Sequence, residues 1–560
     1  MLNNEAGAHS FRRLRLTAGA PLRTPTEALD VLAQVGGSSP RRVGIWEQEG
    51  PGAGAGLVRA AAMEAEWHLW ADVGRIPARD GGRRVVLLGE SAARGYFYDP
   101  VATPAGLLAH MLSTSETALE VVDLARTDAD LAELSQVVQA LGLLEPDAVV
   151  LFAGNNWQRL AAEPDELSEL TDALRRGGGS AAASALAAQS ATRAATVLDL
   201  LALQARLRGI PVVVVVVPEF GLGVWHPAST VDPLLTPDDA RAWHSALALG
   251  RLALAEQRSQ DARTAAQRVL ELDGGSTNEG WVLLAEAATR LGDDSAVRAA
   301  LEAARDAPSG RLAPATPRCP RWVQDLLRAK ATEHAFALVD LPELLSTNSG
   351  ARLPDPAAFL DYCHLSWEGI VRTMAEVAAR VSRPLLGRPH PPSWFTARAM
   401  QPSAEDEATA RFLAAIHHSH HGQPVPAVLA RCADALRTSP SVAGLMTRYV
   451  DFRTRDAPDW ICESYREAVM HPSVARYLGA ARGYGGAEIG DLALVQVIAD
   501  ALGPGGSDAM VAGIGRNADP RLRPEPSSIA RPQHSVHDRA VANPTHSTCQ
   551  SSAAQVFGSA

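Results

Sequence analysis

Short apolar runs recur along the chain and predict the strands of a buried sheet. Five of them stand out, at 85–89, 119–125, 147–154, 210–220 and 336–342. Apolar runs without polar alternation are typical of strands that are buried on both faces. Helical periodicity fills the intervals at 103–114, 128–144, 183–208 and 320–335. This alternation predicts an α/β fold with three layers, in which helices cover both faces of a parallel sheet and sites lie at the carboxyl ends of its strands.

Before the first run, residues 1–80 are interpreted as an N-terminal helical leader. Apolar residues at helical spacing predict one helix at 58–73, which Gly74 closes. The segment 177–191 is rich in Gly, Ala and Ser, and its composition fits either a flexible loop or the start of an Ala-rich helix.

Between the fourth and fifth runs, residues 236–309 have helical periodicity only. Two similar segments, 265–273 and 299–307, lie 34 residues apart. Apolar and glycine positions there resemble those of a tetratricopeptide repeat, namely Trp281, Leu284, Gly292, Leu301 and Ala304. The alternative is an ordinary helical hairpin insertion. Either way, the α/β domain is predicted to be split into a first part at 81–235 and a second part at 310–385.

Two further regions follow the α/β domain. Residues 386–502 are predicted to form an α-helical C-terminal domain, and 410–440 has the pattern helix, Gly turn, helix, Pro. Residues 503–560 are rich in Gly, Pro, Ser, Asn and Arg, which predicts a disordered tail.

Composition narrows the classes of function. The 560 residues carry 63 acidic and 52 basic side chains, a net charge of −11, which argues against a general nucleic-acid binder. The most apolar stretch, 210–217, is too short to span a membrane, and the N-terminus lacks the apolar core of a secretory signal. Five scattered cysteines without CxxC spacing fit a reducing cytoplasm and no zinc site.

Three short polar blocks follow predicted strands, and each carries a group used in acyl transfer. Ser91 follows strand 85–89, where a serine at a strand-to-helix turn is exposed as a nucleophile; a helix cap is the plainer interpretation. Asn155 and Asn156 follow strand 147–154, where a side-chain amide can donate to an oxyanion; an Asn-rich turn is the alternative. Asp361 precedes His364 by three residues, so its carboxylate can orient the imidazole or simply cap a turn.

Taken together and in this order, the blocks resemble those of the SGNH (GDSL-type) hydrolase family. Its GDS, GxND and DxxH blocks correspond here to GES at 89–91, GNNW at 154–157 and DYCH at 361–364. The resemblance covers about 81–225 and 310–385. It implies Ser91 as nucleophile and oxyanion amide, His364 as general base and Asp361 as its orienting carboxylate. Asn156 would supply the oxyanion side chain, with Asn155 as the alternative, and Ser91 and His364 should lie within hydrogen-bond reach.

The chain departs from the family pattern in three places. Glu90 replaces the aspartate of the first block, and Trp157 replaces the aspartate after the asparagine of the third. The family's second block has a glycine whose amide completes the oxyanion hole, whereas 121–131 contains no glycine. Spacing puts Thr127 or Asp128 at that position, where either backbone amide could serve.

Other candidates receive a structural interpretation. The quartet His417, His418, His420 and His421 is expected to be a polar helix end rather than a metal site, because no acidic partner reinforces the pair His417 and His421. Tyr96, Phe97 and Tyr98 are expected in core packing, with an acyl pocket as the alternative. Cys363 is expected to pack beside His364 rather than act as a nucleophile.

These observations predict a cytoplasmic serine esterase that needs no cofactor and acts through an acyl-serine. Its substrate would be a small-molecule or carrier-bound acyl ester, and the polar face of the helical insert could receive a protein partner. Two alternatives remain: an acyltransferase that uses the same serine with an acceptor other than water, and a non-catalytic helical-repeat scaffold.

Overall fold

The fold is described from a computed structural model. The residues that the structure describes are 41–50, 55–113, 119–158, 164–225, 235–307, 318–347, 350, 352–421, 423–453 and 487–503.

A five-stranded parallel sheet forms the centre of the molecule. Its strands are β5 (Arg83–Gly89), β6 (Leu119–Ala125), β7 (Ala148–Phe152), β8 (Val212–Val217) and β9 (Ala337–Asp340). They lie in the order β6-β5-β7-β8-β9, and every neighbouring pair is parallel. All five strands predicted from apolar runs are therefore present, and β5 lies between β6 and β7.

Sixteen α-helices lie within the described ranges. Those before β9 are α1 (Ser91–Arg94), α2 (Pro104–Leu112), α3 (Leu131–Gln139), α4 (Pro164–Arg208), α5 (Pro237–Ala255), α6 (Ser259–Asp273), α7 (Asn278–Leu291), α8 (Asp294–Asp306) and α9 (Arg321–Glu333). Those after it are α10 (Leu341–Leu344), α11 (Trp367–Leu386), α12 (Pro392–Thr396), α13 (Ala404–His420), α14 (Val425–Thr438), α15 (Val442–Arg453) and α16 (Ala487–Leu502). The segment 177–191 is helical, within α4, with a kink at Gly177 and Gly178.

Alternate side chains of each strand enter two separate cores, one on each face of the sheet. Val85 and Leu87 pack with α2, α11 and the helices after 404, whereas Val86 and Leu88 pack with α3, α4 and α9. Successive side chains of a strand point to opposite faces, so strands covered on both faces must be apolar throughout. The predicted α/β architecture with helices on both faces is thus confirmed.

The prediction of a helix at 58–73 is wrong. Within the described part of 1–80, the chain forms a small antiparallel sheet of β1 (Arg42–Val43), β2 (Trp46–Gln48), β3 (Leu57–Arg59) and β4 (Arg75–Ile76). Only a 3₁₀ helix at Ala61–Leu69 interrupts it, and none of that helix's residues is buried. Tertiary packing overrides the helical spacing, because the buried rings of Trp46 and Trp70 meet edge to face and join the core against α3 and α4.

Four helices, α5 to α8, occupy the interval between β8 and α9. Glycines at 274 and 292 end α6 and α7 in the left-handed conformation, with φ of 63° and 71°. Leu283 and Ala287 of α7 pack against α5 and α6, whereas Ala285 and Ala288 face α8. The interval 236–309 is thus helical in its described part, as its periodicity predicted.

The helices after residue 404 share a core with the sheet rather than forming a core of their own. Phe412, Ile416, Val428 and Ile498 belong to the same apolar cluster as Val85 and Leu87 of β5. The helices predicted within 410–440 are present as α13 and α14. Of the tail predicted at 503–560, all but Gly503 lies outside the described residues. Among the helices described, none combines the length and apolarity needed to cross a membrane.

The buried carboxyl of Asp123 on β6 makes the stability of the fold depend on pH. Burial raises the pKa of Asp123 to about 7, and Asp99 adds to this, although the Ala125 amide, 2.9 Å from Asp123 Oδ1, opposes it. The unfolded pKa is about 3.9, so the fold loses stability as pH rises from about 4 to about 7 and loses no more above that.

Replacing Asp123 with asparagine, which keeps the acceptor for Ala125 but carries no charge, is expected to stabilise the protein by about 1–3 kcal/mol at pH 8. The gain should shrink toward pH 5. Urea unfolding at both pH values measures it, and a variant less stable than wild type at pH 8 would contradict the prediction.

Candidate active site

The turns after β5, β6 and β7 lie side by side at the carboxyl edge of the sheet. Gly89, the last residue of β5, pairs with Ala125 of β6 and with Phe152 of β7. A side chain at Gly89 would collide with the Phe152 carbonyl and the Ala93 side chain, each 2.3 Å from the position of a Cβ. Glycine therefore allows the chain to turn sharply from β5 into α1, and Ser91 becomes the first residue of that helix.

Ser91, His364 and Asp361 form a continuous hydrogen-bonded chain. His364 Nε2 lies 2.8 Å from Ser91 Oγ, and His364 Nδ1 lies 2.6 Å from Asp361 Oδ2. Because a carboxylate can only accept, Nδ1 carries the proton and Nε2 is left to accept from the serine hydroxyl. Ser91 is partly exposed while His364 and Asp361 are buried, so the nucleophile is the member of the chain that solvent and substrate can reach.

Two histidines keep Asp361 ionised. Burial alone would raise its pKa, but its interactions with His364 and His417 outweigh burial and hold the pKa well below the usual range. Its other oxygen, Oδ1, accepts from the amides of Cys363 and His364 at 2.9 and 2.7 Å. These two backbone hydrogen bonds fix the Asp361 side chain in the orientation that faces the His364 imidazole.

Glu90 ties the nucleophile turn to the turn after β7. Its fully buried carboxylate accepts from the amides of Asn155 at 2.7 Å and Asn156 at 3.2 Å. Glu90, with extended backbone, is also the residue before α1, so Ser91 does not act as the helix cap. The glutamate that departs from the family pattern still holds two of the candidate blocks together.

Both asparagines are buried next to Glu90, in the turn where Gly154 has a φ of 144°. The Asn155 carbonyl accepts from the Arg318 amide at 2.8 Å, which joins this turn to the start of α9. Asn155 Oδ1 has no hydrogen-bond partner among the described residues. The Asn156 amide group remains the candidate oxyanion donor, and Asn155 remains the alternative.

The turn after β6 contains Thr127 and Asp128, the two candidates for the position where the SGNH pattern has a glycine. The Thr127 amide donates to the Leu69 carbonyl at 2.7 Å, so it already has an acceptor. Asp128 has a φ of 67°, the left-handed backbone that favours glycine, and its side chain is exposed. The left-handed backbone of Asp128 and the acceptor already bound by the Thr127 amide therefore favour Asp128 over Thr127 at the position where the SGNH pattern has glycine.

Aromatic rings surround His364. Tyr96 stacks on the imidazole at a centroid distance of 5.1 Å, and Phe97 meets it edge to face at the same distance. Phe97 and Tyr98 are buried in the core as expected, but Tyr96 is partly exposed and forms part of the wall beside the serine. Burial raises the pKa of the Cys363 thiol well above its ordinary value, which suits a packing role for this cysteine.

The expectation of a polar helix end at the histidine quartet is wrong for two of its members. His417 and His418 are buried, His417 Nδ1 lies 3.1 Å from Asp361 Oδ2, and His418 Nε2 donates to the Leu360 carbonyl at 2.9 Å. Helical spacing could have indicated this, because Phe412, Leu413 and Ile416 place one apolar face of α13 toward the core. Sequence reasoning missed it because the partner residues lie more than 50 positions away.

The helical insert contacts the loops beside the site. Val297 and Leu301 of α8 pack with Phe220, Trp225 and Tyr362 in one apolar cluster. Glu219, at the end of β8, is fully buried and lies 3.3 Å from Arg298 of α8. Tyr362 directly follows Asp361, so the insert packs against the loop that carries the acid and the base.

Two clusters of possible metal ligands occur in the described part of the chain, and both have other roles. In the first, Asp361 and His364 belong to the hydrogen-bonded chain with Ser91, and the Cys363 thiol packs beside them, 3.9 Å from His364 Nδ1. In the second cluster, Asp199 Oδ1 accepts from Lys330 at 2.7 Å and from His334 at 2.6 Å. Because Lys330 lies at that distance, its positive charge already balances the negative charge that Asp199 would offer to a cation.

No protein-family model matches the chain, and comparisons with curated proteins and with solved structures gave no significant match. The geometry of Ser91, His364 and Asp361 is therefore the main indication of function.

Proposed function

We propose that this protein is a serine hydrolase of the SGNH type that cleaves a carboxylic ester through an acyl-serine intermediate. The observation that carries the proposal is the hydrogen-bonded chain from Ser91 Oγ through His364 to Asp361. These residues lie up to 273 positions apart (364 − 91) and meet at the sheet edge where α/β folds place their sites. A nucleophile, its base and an orienting carboxylate in this order are the arrangement that acyl transfer needs.

In the first half of the reaction, Ser91 Oγ attacks the ester carbonyl while His364 Nε2 takes the hydroxyl proton. Asp361 stabilises the resulting imidazolium. Negative charge develops on the carbonyl oxygen, where the Ser91 amide, the Asn156 side chain and the Asp128 amide are the proposed donors. His364 then returns the proton to the leaving alcohol, and the acyl-serine remains.

In the second half, His364 takes a proton from water, which attacks the acyl-serine. The serine leaves and recovers its proton from the imidazolium. An acyltransferase would differ only here, with an alcohol or amine in place of water. The packing of α8 and α13 against the loop of Asp361 favours this second candidate, because covering a site limits the access of water.

A fluorophosphonate probe tests the proposal directly, because it reacts with serines activated by a neighbouring base. We expect the wild-type protein to be labelled and the label to be found on the peptide that contains Ser91. A folded wild type that takes no label would contradict the proposal and favour the scaffold alternative. Adding an alcohol acceptor to the ester assay separates the two enzymes, since an acyltransferase forms a new ester faster than free acid.

The remaining features fit this proposal. The cytoplasm is the proposed location, which suits the free, buried cysteines Cys319, Cys363 and Cys432. The insert is proposed to divide the catalytic domain and to take part in the choice of a small-molecule or carrier-bound acyl substrate, because α8 packs beside the loop of Asp361. No cofactor enters the proposed reaction.

A further inference from the structure

The triad carboxylate has a second histidine beside it. Asp361 Oδ2 lies 2.6 Å from His364 Nδ1 and 3.1 Å from His417 Nδ1. Its Oδ1 accepts from two backbone amides, those of Cys363 and His364. A carboxylate offers about four acceptor positions. His417 Nδ1 lies within reach of the last of them, on a side chain that is 1% exposed, although its N–H is not aligned as a hydrogen bond in this structure.

The helix that carries His417 is fixed to the catalytic loop by further polar contacts. The neighbouring His418 donates to the Leu360 carbonyl at 2.9 Å, and Arg431 of α14 donates to the Phe359 carbonyl at 3.0 Å. At the other end of α13, Tyr98 donates to Glu407 at 2.7 Å and accepts from the Trp367 amide at 2.9 Å. The position of His417 relative to Asp361 is thus determined by contacts on both sides of the site.

The surroundings of His417 suit a neutral imidazole with its proton on Nδ1. Burial lowers the pKa of His417, and the charge of Asp361 only partly offsets this. Tyr362 stacks on the ring at 5.5 Å, and His421 lies at 4.2 Å. Because a carboxylate only accepts, a neutral His417 must place an Nδ1 proton toward Asp361 to bind it.

We propose that His417 is a positioning residue, which donates its Nδ1–H to Asp361 Oδ2 and holds that carboxylate in the orientation that His364 needs. The proposal rests on the hydrolase function proposed above. It makes the C-terminal helices part of the catalytic unit, since α13 supplies a side chain that the loop of Asp361 and His364 lacks. His417 itself touches neither the serine nor the substrate in the proposed reaction.

Two substitutions with the same branching of side-chain heavy atoms separate this role from packing. Asparagine at 417 can place its Nδ2–H where the imidazole places Nδ1–H, whereas leucine has the same shape without a donor. We expect His417→Leu to lower kcat by about 10- to 100-fold, because a hydrogen bond to a charged group is lost. His417→Asn should keep kcat within about threefold of wild type, and KM should change in neither variant.

The test compares kcat between the two variants, and their urea unfolding midpoints show whether either change has altered stability. His417→Met, a larger side chain without a donor, replaces the leucine variant if that protein does not fold. Equal kcat values for the donor and donor-less variants would overturn the proposal, because the missing ring is common to both. The proposal would also be overturned if kcat fell in proportion to the loss of stability, whether or not the side chain at 417 has a donor.

A measurement without turnover distinguishes failure of this proposal from failure of the hydrolase function. Nitrogen-15 NMR of the histidine side chains is expected to show His417 protonated at Nδ1, with His364 signals that shift in the leucine variant but not in the asparagine variant. An unprotonated Nδ1 on His417 would overturn the positioning role even in an active enzyme. An inactive wild type with the expected signals would overturn only the hydrolase function.

Discussion

Ser91→Ala is expected to lower the turnover of an activated ester on the order of 10⁶-fold, as loss of the nucleophile does in other serine triads. The hydroxyl is the only group removed, and Glu90 rather than Ser91 is the residue that precedes α1. The fold should therefore be unchanged while the acyl-serine can no longer form. Initial rates of ester hydrolysis and fluorophosphonate labelling measure the two consequences.

Ser180→Ala is the matched control for this change. Ser180 is exposed on α4 and does not belong to the hydrogen-bonded chain of Ser91, His364 and Asp361, so its loss should affect neither rate nor labelling. If Ser91→Ala keeps more than about a tenth of wild-type turnover, or if labelling persists, another residue is the nucleophile and the proposed mechanism fails.

Asp361→Asn is expected to lower kcat by about 10⁴-fold, the loss seen when a triad carboxylate becomes an amide. The amide oxygen can still accept from the Cys363 and His364 amides, so the loop should keep its conformation. Its NH₂ group would then donate to His364 Nδ1, which moves the imidazole proton to Nε2. In that tautomer His364 cannot accept the proton of Ser91.

Asp355→Asn controls for damage to the same segment of chain. Asp355 accepts from the Ala357 amide at 3.0 Å at the start of the loop but makes no contact with Ser91 or His364 among the described residues. Asparagine keeps that acceptor and loses only the charge that pairs with Arg372 at 3.4 Å, so kcat should stay close to the wild-type value. A loss below about tenfold in Asp361→Asn would mean that Asp361 does not orient the base.

The sequence alone determined the sheet and the candidate triad, because both depend on short-range pattern. Strands buried on both faces must be continuously apolar, so all five could be recognised without knowing their neighbours. Ser91 and Asn156 directly follow such strands, and the carboxyl ends of parallel strands meet at one edge. Asp361 and His364 come 21 positions or more after β9 (361 − 340), and the resemblance to the SGNH blocks predicted that they meet Ser91 there.

Only the tertiary structure decided the surroundings of that triad. The helix predicted at 58–73 became a strand and a 3₁₀ helix, because contacts of Trp46 and Trp70 with distant residues outweighed a helical pattern of weak amphipathicity. Asp128 was distinguished from Thr127 by backbone conformation and by the partner of one amide. His417 came to lie against Asp361, 56 positions earlier (417 − 361), through the packing of α13 on the core. Such contacts join residues far apart in the chain, and local periodicity carries no information about which of them will meet.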